Sequence, residues 1–132
     1  MIVDTSVWID YFAGRPTPPV LRLKRVITDE RLVGLTDVIY TEVLQGIKSD
    51  DYLRFIERKL LDFPILRLEG LDDFRNAAEL YRAARRDGHT IRNTSDCLIA
   101  AVCIRARWPL LHSDVDFDRL AKCSDLEVVA PG

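Results

Sequence analysis

A mostly parallel α/β sheet with helices on both faces is the fold class this sequence predicts, and three observations predict it. Short apolar runs alternate along the whole chain with longer segments of helical periodicity, the pattern of strands joined by crossover helices. The segment Asp96–Ile104 (DCLIAAVCI) is apolar on nearly every side, as a helix buried against a sheet is. The 132 residues, 48% hydrophobic and 30% charged, suit one domain with a real core, so the span 1–132 is expected to be a single unit.

The elements follow in order. Met1–Val3 reads as the first strand, and Trp8, Tyr11 and Phe12 fall on a short helix after Asp4. The proline stretch 16–19 is one loop leading into a helix over Val20–Ile27. Leu32–Leu35 is the second strand, followed by helices over Val38–Ile47 and Tyr52–Leu61, then a strand over Pro64–Leu68. Asp72–Arg86 is the clearest helix, with Phe74, Ala77, Ala78, Tyr81 and Ala84 on one stripe and Gly88 placed to end it. Ser95 is a suitable N-cap for the buried helix. Strands over Pro109–Leu111 and Glu127–Val129 complete the sheet. No repeat, low-complexity tract or linker interrupts the chain.

Composition excludes several classes. Nineteen Lys and Arg against 21 Asp and Glu give a net charge of −2, which argues against a simple basic nucleic-acid binder. Cys97, Cys103 and Cys123 form no CxxC and no even set, so neither a disulfide framework nor a zinc knuckle is legible and a reducing, cytoplasmic setting is expected. No apolar run approaches the roughly 20 residues of a membrane span, and MIVDTS lacks the basic start of a secretory signal.

The chemistry lies in the acids. Asp4 closes the first strand, Asp114 closes a later one, and Asp116 follows two residues on. In a parallel sheet both strand ends face the same edge, where ligands gather. Glu42 borders the apolar face of its helix with Gly46 one turn below, and Asp96 sits in the first turn of the buried helix. Singly, each has an ordinary structural role: a turn or cap for Asp4, Asp114 and Asp116, a helix-start acid for Asp96, an ion-pair partner of an arginine for Glu42. Together, four or five converging carboxylates repel one another, and a divalent cation is the usual remedy. An all-oxygen ligand set selects Mg²⁺ or Mn²⁺ over zinc.

Four motifs carry a resemblance: IVDTSVWID at the start, TEVLQG around Glu42, IRNTSDCLIAA around Asp96, and LLHSDVDFDRLA around Asp114 and Asp116. In that order and spacing, from Met1 to about Ala121, the chain resembles the PIN-domain ribonucleases, and among them the VapC toxins of bacterial toxin–antitoxin modules. The resemblance implies a Mg²⁺-dependent endoribonuclease with Asp4, Glu42, Asp96 and Asp114 as catalytic acids, and Asp4, Asp96, Asp114 and Asp116 as metal ligands. Such a metal activates water for attack on a phosphodiester. It also implies products with 5′-phosphate and 3′-hydroxyl ends, transfer or ribosomal RNA as substrate, a VapB-like antitoxin that alone contacts DNA, and a homodimer. One position departs from the pattern: many members have Thr two residues before the acid at Asp114's position, where this chain has His112. Ser113, Thr5 or Ser6 is then left to supply a hydroxyl.

Arginines crowd residues 82–107. Arg82 is expected on solvated surface, whereas Arg86 and Arg92 flank the loop before Asp96 and are candidates for phosphate contact. His112 is expected to be packed at a strand end. Three rivals remain beside the toxin reading. An RNA-processing nuclease outside a toxin–antitoxin module would share the site. A non-catalytic module would have lost it, yet all four principal acids are present. A receiver-type phosphoacceptor needs an Asp ending a middle strand and a Lys after a late one, and neither is present. The five acids also recast the charge: without them 16 acids face 19 bases, a net +3 for the rest of the chain.

Overall fold

Ile2 and Val3 form β1 (Ile2–Val3), the inner strand of a parallel sheet. β4 (Leu110–Leu111) lies beside it, Ile2 opposite Leu110 and Val3 opposite Leu111. β2 (Leu35–Thr36) pairs in parallel with β3 (Ile65–Leu66). A single parallel bridge from Ile2 to Gly34 joins the two pairs, and Val128 bridges Leu110 on the outer side. The order across the sheet is therefore β3, β2, β1, β4 and the Val128 segment. The computed structural model describes residues 1–131; Gly132, the end of the span expected as one domain, lies outside the described residues.

Neighbouring residues on a strand point to opposite faces. Both residues of β1, β2 and β4 are fully buried, so the centre of the sheet is covered on both sides. Each Ile or Leu shielded there contributes about 2 kcal/mol. The strands are shorter than the apolar runs suggest. Leu32, expected inside the second strand, is 61% exposed, and Glu127–Val129 contributes one bridge rather than a strand. Gly34 marks the closest approach of the second strand: a Cβ there would stand 2.8 Å from the Pro64 carbonyl oxygen and 3.0 Å from the Trp108 ring.

The helices are α1 (Thr5–Phe12), α2 (Pro18–Thr28), α3 (Asp37–Gln45), α4 (Asp50–Leu60), α5 (Gly70–Arg86), α6 (Thr94–Ala106) and α7 (Val115–Lys122). Local chemistry starts most of them. Thr17, Thr36 and Ser49 accept from the backbone N–H three residues on, capping α2, α3 and α4, and Pro18 suits the first turn of α2. Gly88 ends the α5 turn with φ +87°, and the His89 N–H donates back to the Ala84 carbonyl.

Two expectations shift. The buried stripe of α5 is Asp73, Ala77, Leu80 and Ala84, whereas Phe74 is 48% exposed. The helix is rotated because Asp73 reaches an arginine of α6: Arg105 Nε donates to its Oδ1 at 2.9 Å. The buried helix α6 starts at Thr94, so Asn93 takes the N-cap position and Ser95 lies inside the first turn. Its apolar surround is as expected, with Cys97 and Ile99–Cys103 all buried. Trp8 is wholly buried and packs against Phe12 and Phe63, which places it in the core. α7 has no counterpart among the helices expected from periodicity.

Candidate active site

Parallel pairing of β1 with β4 sets their carboxyl ends side by side, which brings Asp4 and Asp114 to one edge although 110 positions separate them. Asp4 is the N-cap residue of α1 and Asp114 that of α7. Glu42 enters from the middle of α3 and Asp96 from the first turn of α6. With Thr5, Ser6, Ser113, Arg92 and Asn93, these four acids line an open cleft of about 600 Å³.

Each acid is held differently. Glu42 has no arginine partner; Thr5 Oγ1 donates to its Oε1 at 2.7 Å and Ser95 Oγ to its Oε2 at 3.1 Å. Ser6 Oγ donates to Asp4 Oδ2 at 3.1 Å and stands 2.9 Å from Ser113 Oγ. Since the single Ser6 proton goes to Asp4, Ser113 is the donor in that pair. Asp114 Oδ1 accepts from the Asp116 N–H and from Arg92 Nη2, both at 2.9 Å. The Asp114 N–H donates to His112 Nδ1 at 3.1 Å, and His112 Nε2 lies 3.2 Å from Asp118 Oδ1.

Asp96 is the exception. It is 7% exposed, and its Oδ2 is buried without a hydrogen-bond partner among the described residues. Burial first, then the charges of Asp4, Asp114, Glu42 and Asp116, raise its pKa to about 7. Burial likewise raises Asp4 to about 6, against the opposing hydrogen bonds of Thr5 and Ser6. A buried carboxylate oxygen with no donor, in a cleft whose other acids repel it, is a site that a cation would satisfy. The donors are all oxygen, as a hard divalent ion requires. Among the described residues no three His, Cys, Asp or Glu side chains stand close enough together, as they are placed, to ligate one ion. Arg92 takes up part of that role, bridging Asp114 and Asp116.

The remaining candidates separate. Asp116 is fully buried, and both its oxygens are taken. Oδ2 accepts from the backbone N–H and Nε of Arg92, and Oδ1 from Arg119 Nη1 at 3.1 Å. Burial opposes its charge, yet these donors hold its pKa below the usual carboxylate range. It faces arginines, not the cleft, where a further metal ligand had been expected. Arg86 is not at the cleft at all; it lines a separate hollow with Glu79, Cys123 and Asp125. Arg92 is at the cleft but already bonded to two acids. Thr5, Ser6 and Ser113 line the cleft, Thr5 bonded to Glu42, Ser6 to Asp4 and Ser113 to Ser6.

Sequence reasoning missed Ser95, Arg119 and Asp118. Ser95 was legible as a hydroxyl beside Asp96 but reads equally as a cap. The partners of Arg119 and Asp118 depend on the face that α7 turns inward. His112 is 9% exposed at the end of β4, as expected, and burial keeps its pKa below the usual histidine value. All three cysteines are free. No helix among the described residues is long and apolar enough to cross a membrane.

The family model described as PIN domain matches residues 1–122. Over 131 residues, 98% of each chain, the sequence is 35% identical to VapC ribonuclease Mb1587 of Mycobacterium bovis and, equally, to Ribonuclease VapC11 of Mycobacterium tuberculosis. The fold is similar to a chain of the VapBC2 complex of Rickettsia felis bound to a DNA fragment from its promoter, with a TM-score of 0.76 and 14% identity over 97% of this chain and 96% of that one.

Proposed function

The chain belongs to the PIN domain family, with the VapC ribonucleases as relatives, and on that premise we propose that it is the endoribonuclease toxin of a toxin–antitoxin pair. The observation that carries the reading is the cleft itself: Asp4 and Asp114 from two strand ends and Glu42 from α3 gather round Asp96 of α6, whose Oδ2 is orphaned. Asp4 and Asp96 would hold a divalent ion, Mg²⁺ or Mn²⁺ by their oxygen chemistry, with Asp114 and Glu42 beside them. When bound, such an ion lowers the pKa of water and offsets charge on the leaving oxygen of a phosphodiester.

The chain's own residues do the rest. Asp4 and Asp96 must be ionised to ligate, and a cation lowers their raised pKa values into that state. Thr5 and Ser95 fix both oxygens of Glu42, and the Ser113–Ser6 pair orients Asp4. Asp116 is a positioning residue: its carboxylate anchors Arg92 and Arg119 while its N–H fixes Asp114. Arg92, with an exposed guanidinium at the cleft edge, is the cation best placed to meet a substrate phosphate. Arg86 is too far round the molecule to share that role.

The partner is a VapB-like antitoxin that supplies any contact with DNA, and the toxin pairs with a second copy of itself. The substrate is RNA, of the transfer or ribosomal class. In the test, purified wild type cleaves total RNA with Mg²⁺ and stops on chelation. Asp4→Ala and Asp96→Asn lose cleavage by at least about 100-fold with an unchanged circular dichroism spectrum. Cleavage at the wild-type rate by either variant overturns the assignment. Mapping the 5′-phosphate ends then identifies the RNA. Induced expression without an antitoxin should arrest growth; unaffected growth with active cleavage favours a processing nuclease instead.

A further inference from the structure

Asp114 is gripped from three sides, and one grip is unusual. Its side chain is fixed by Arg92 and by the Asp116 N–H, but its own N–H donates into an imidazole nitrogen, His112 Nδ1, two residues back at 3.1 Å. A nitrogen that accepts a hydrogen bond carries a lone pair, so the proton of the ring is on Nε2. Nε2 lies 3.2 Å from the Asp118 carboxylate, which favours a proton on that nitrogen. The ring packs tilted against Phe117, centroids 5.3 Å apart. His112 therefore spans the turn from β4 into α7, touching residues 114, 117 and 118 of the next element.

We propose that His112 is a positioning residue for the cleft: its neutral Nε2–H tautomer, selected by Asp118, clamps the Asp114 backbone and so aims the Asp114 carboxylate. The chemistry is that of an Asx or ST turn, in which a side-chain acceptor takes the N–H two residues on. An imidazole nitrogen here replaces the usual short side-chain oxygen. Its longer reach leaves Nε2 free to engage α7, so one side chain fixes both the acid and the first turn of the helix that carries Asp116. Misaiming a catalytic group by about 1 Å can cost on the order of 100-fold in rate. Losing one of three grips on Asp114 is a smaller fault, and about tenfold in kcat is expected.

This role in turnover rests on the nuclease reading, whereas the clamp itself does not, and two experiments separate them. The first is ¹⁵N NMR of the imidazoles in the full chain. Nδ1 of His112 should resonate as an unprotonated nitrogen and Nε2 as a protonated one, with Asp118→Leu shifting this balance; an Nδ1–H tautomer overturns the clamp. The second compares His112→Phe, which keeps the ring on Phe117 but has no acceptor, with His112→Asn, whose amide oxygen can take the Asp114 N–H. His112→Phe should lose about tenfold in kcat with KM for RNA within about twofold, and should bind Mn²⁺ more weakly. His112→Asn should recover to within about threefold of wild type. Equal losses in both variants, or none in His112→Phe, overturn the proposal. If wild type shows no cleavage, the nuclease reading fails while the tautomer and the Mn²⁺ affinities still decide the clamp. If His112→Phe does not fold, the tautomer decides alone.

Discussion

A single oxygen sets the chemistry of this molecule. Asp96 Oδ2 is buried with no donor, and the carboxyl has a pKa of about 7, against about 4 for an unfolded aspartate. The folded chain therefore keeps the Asp96 proton to higher pH than the unfolded chain does. Its contribution to stability falls as pH rises from about 4 to about 7 and is level beyond. Asp96→Asn removes that penalty. Without divalent ions, the stability of Asp96→Asn should match wild type near pH 4 and exceed it by about 2–4 kcal/mol at pH 8. That difference corresponds to roughly 7–14 °C in thermal midpoint. Added Mg²⁺ should raise the wild-type midpoint at pH 8 and leave Asp96→Asn nearly unmoved. Scanning calorimetry across pH checks both, and a pH-independent difference contradicts the assignment. Glu42 shows the limit of reading residues singly. Its position beside an apolar face suggested an arginine partner, whereas the structure gives it two hydroxyls, from Thr5 and Ser95. Hydroxyls orient a carboxylate without neutralising it, which keeps Glu42's charge available to the cleft.

At the level of elements, α5 and α6 are locked, remote from the cleft, by an ion pair between the buried Asp73 and the solvent-facing Arg105. Asp73, 1% exposed, accepts from the Glu69 N–H and from Arg105 Nε and Nη2. Arg105 Nη2 also donates to the Arg67 carbonyl, tying in the segment after β3. Burial works against the Asp73 charge, but the Arg105 and Glu69 donors outweigh it and lower its pKa. The stability this pair contributes is complete above the ordinary aspartate range and is lost as pH falls through the lowered folded value. Arg105→Met leaves a buried carboxylate without its counter-ion. It should cost about 2–3 kcal/mol at pH 7 by denaturant unfolding, with RNA cleavage per folded molecule unchanged. The double variant Asp73→Leu/Arg105→Met should recover most of that loss, since an apolar pair has no charge to strand. This pair also explains the rotation of α5. Its apolar periodicity alone favoured a face through Phe74 and Tyr81, and the arginine of α6 turned Asp73 inward instead.

Over the whole molecule, charge is divided between an acidic cleft and a surface that is net basic without it. Phosphate approaching the metal-free protein meets uncompensated carboxylates, so RNA affinity should depend on cations with opposite signs. Monovalent salt at rising concentration should weaken binding by screening the arginines. Millimolar Ca²⁺, which shares the preference for oxygen ligands, should strengthen it by about tenfold. Anisotropy of a labelled RNA separates the two; weakening by Ca²⁺ in parallel with K⁺ rules out a cation between the acids and the phosphate.

Residue order along the chain is enough to place the acids at one edge of the sheet. Asp4 and Asp114 each follow a short apolar strand, and parallel pairing must then set them side by side. It also determined the buried helix at Asp96 and the presence of most helices, because apolar periods are written within a few neighbouring residues. Which side chains partner one another was settled by packing in three dimensions. Arg92 went to Asp114 and Asp116, Arg105 to Asp73, Arg86 to a hollow away from the cleft, and Ser95 to Glu42 instead of a helix cap. These contacts join residues far apart in the chain. They depend on how each helix is rotated about its axis as it packs, an angle that local periodicity leaves open by about one residue, and one residue on a helix turns a side chain by about 100°.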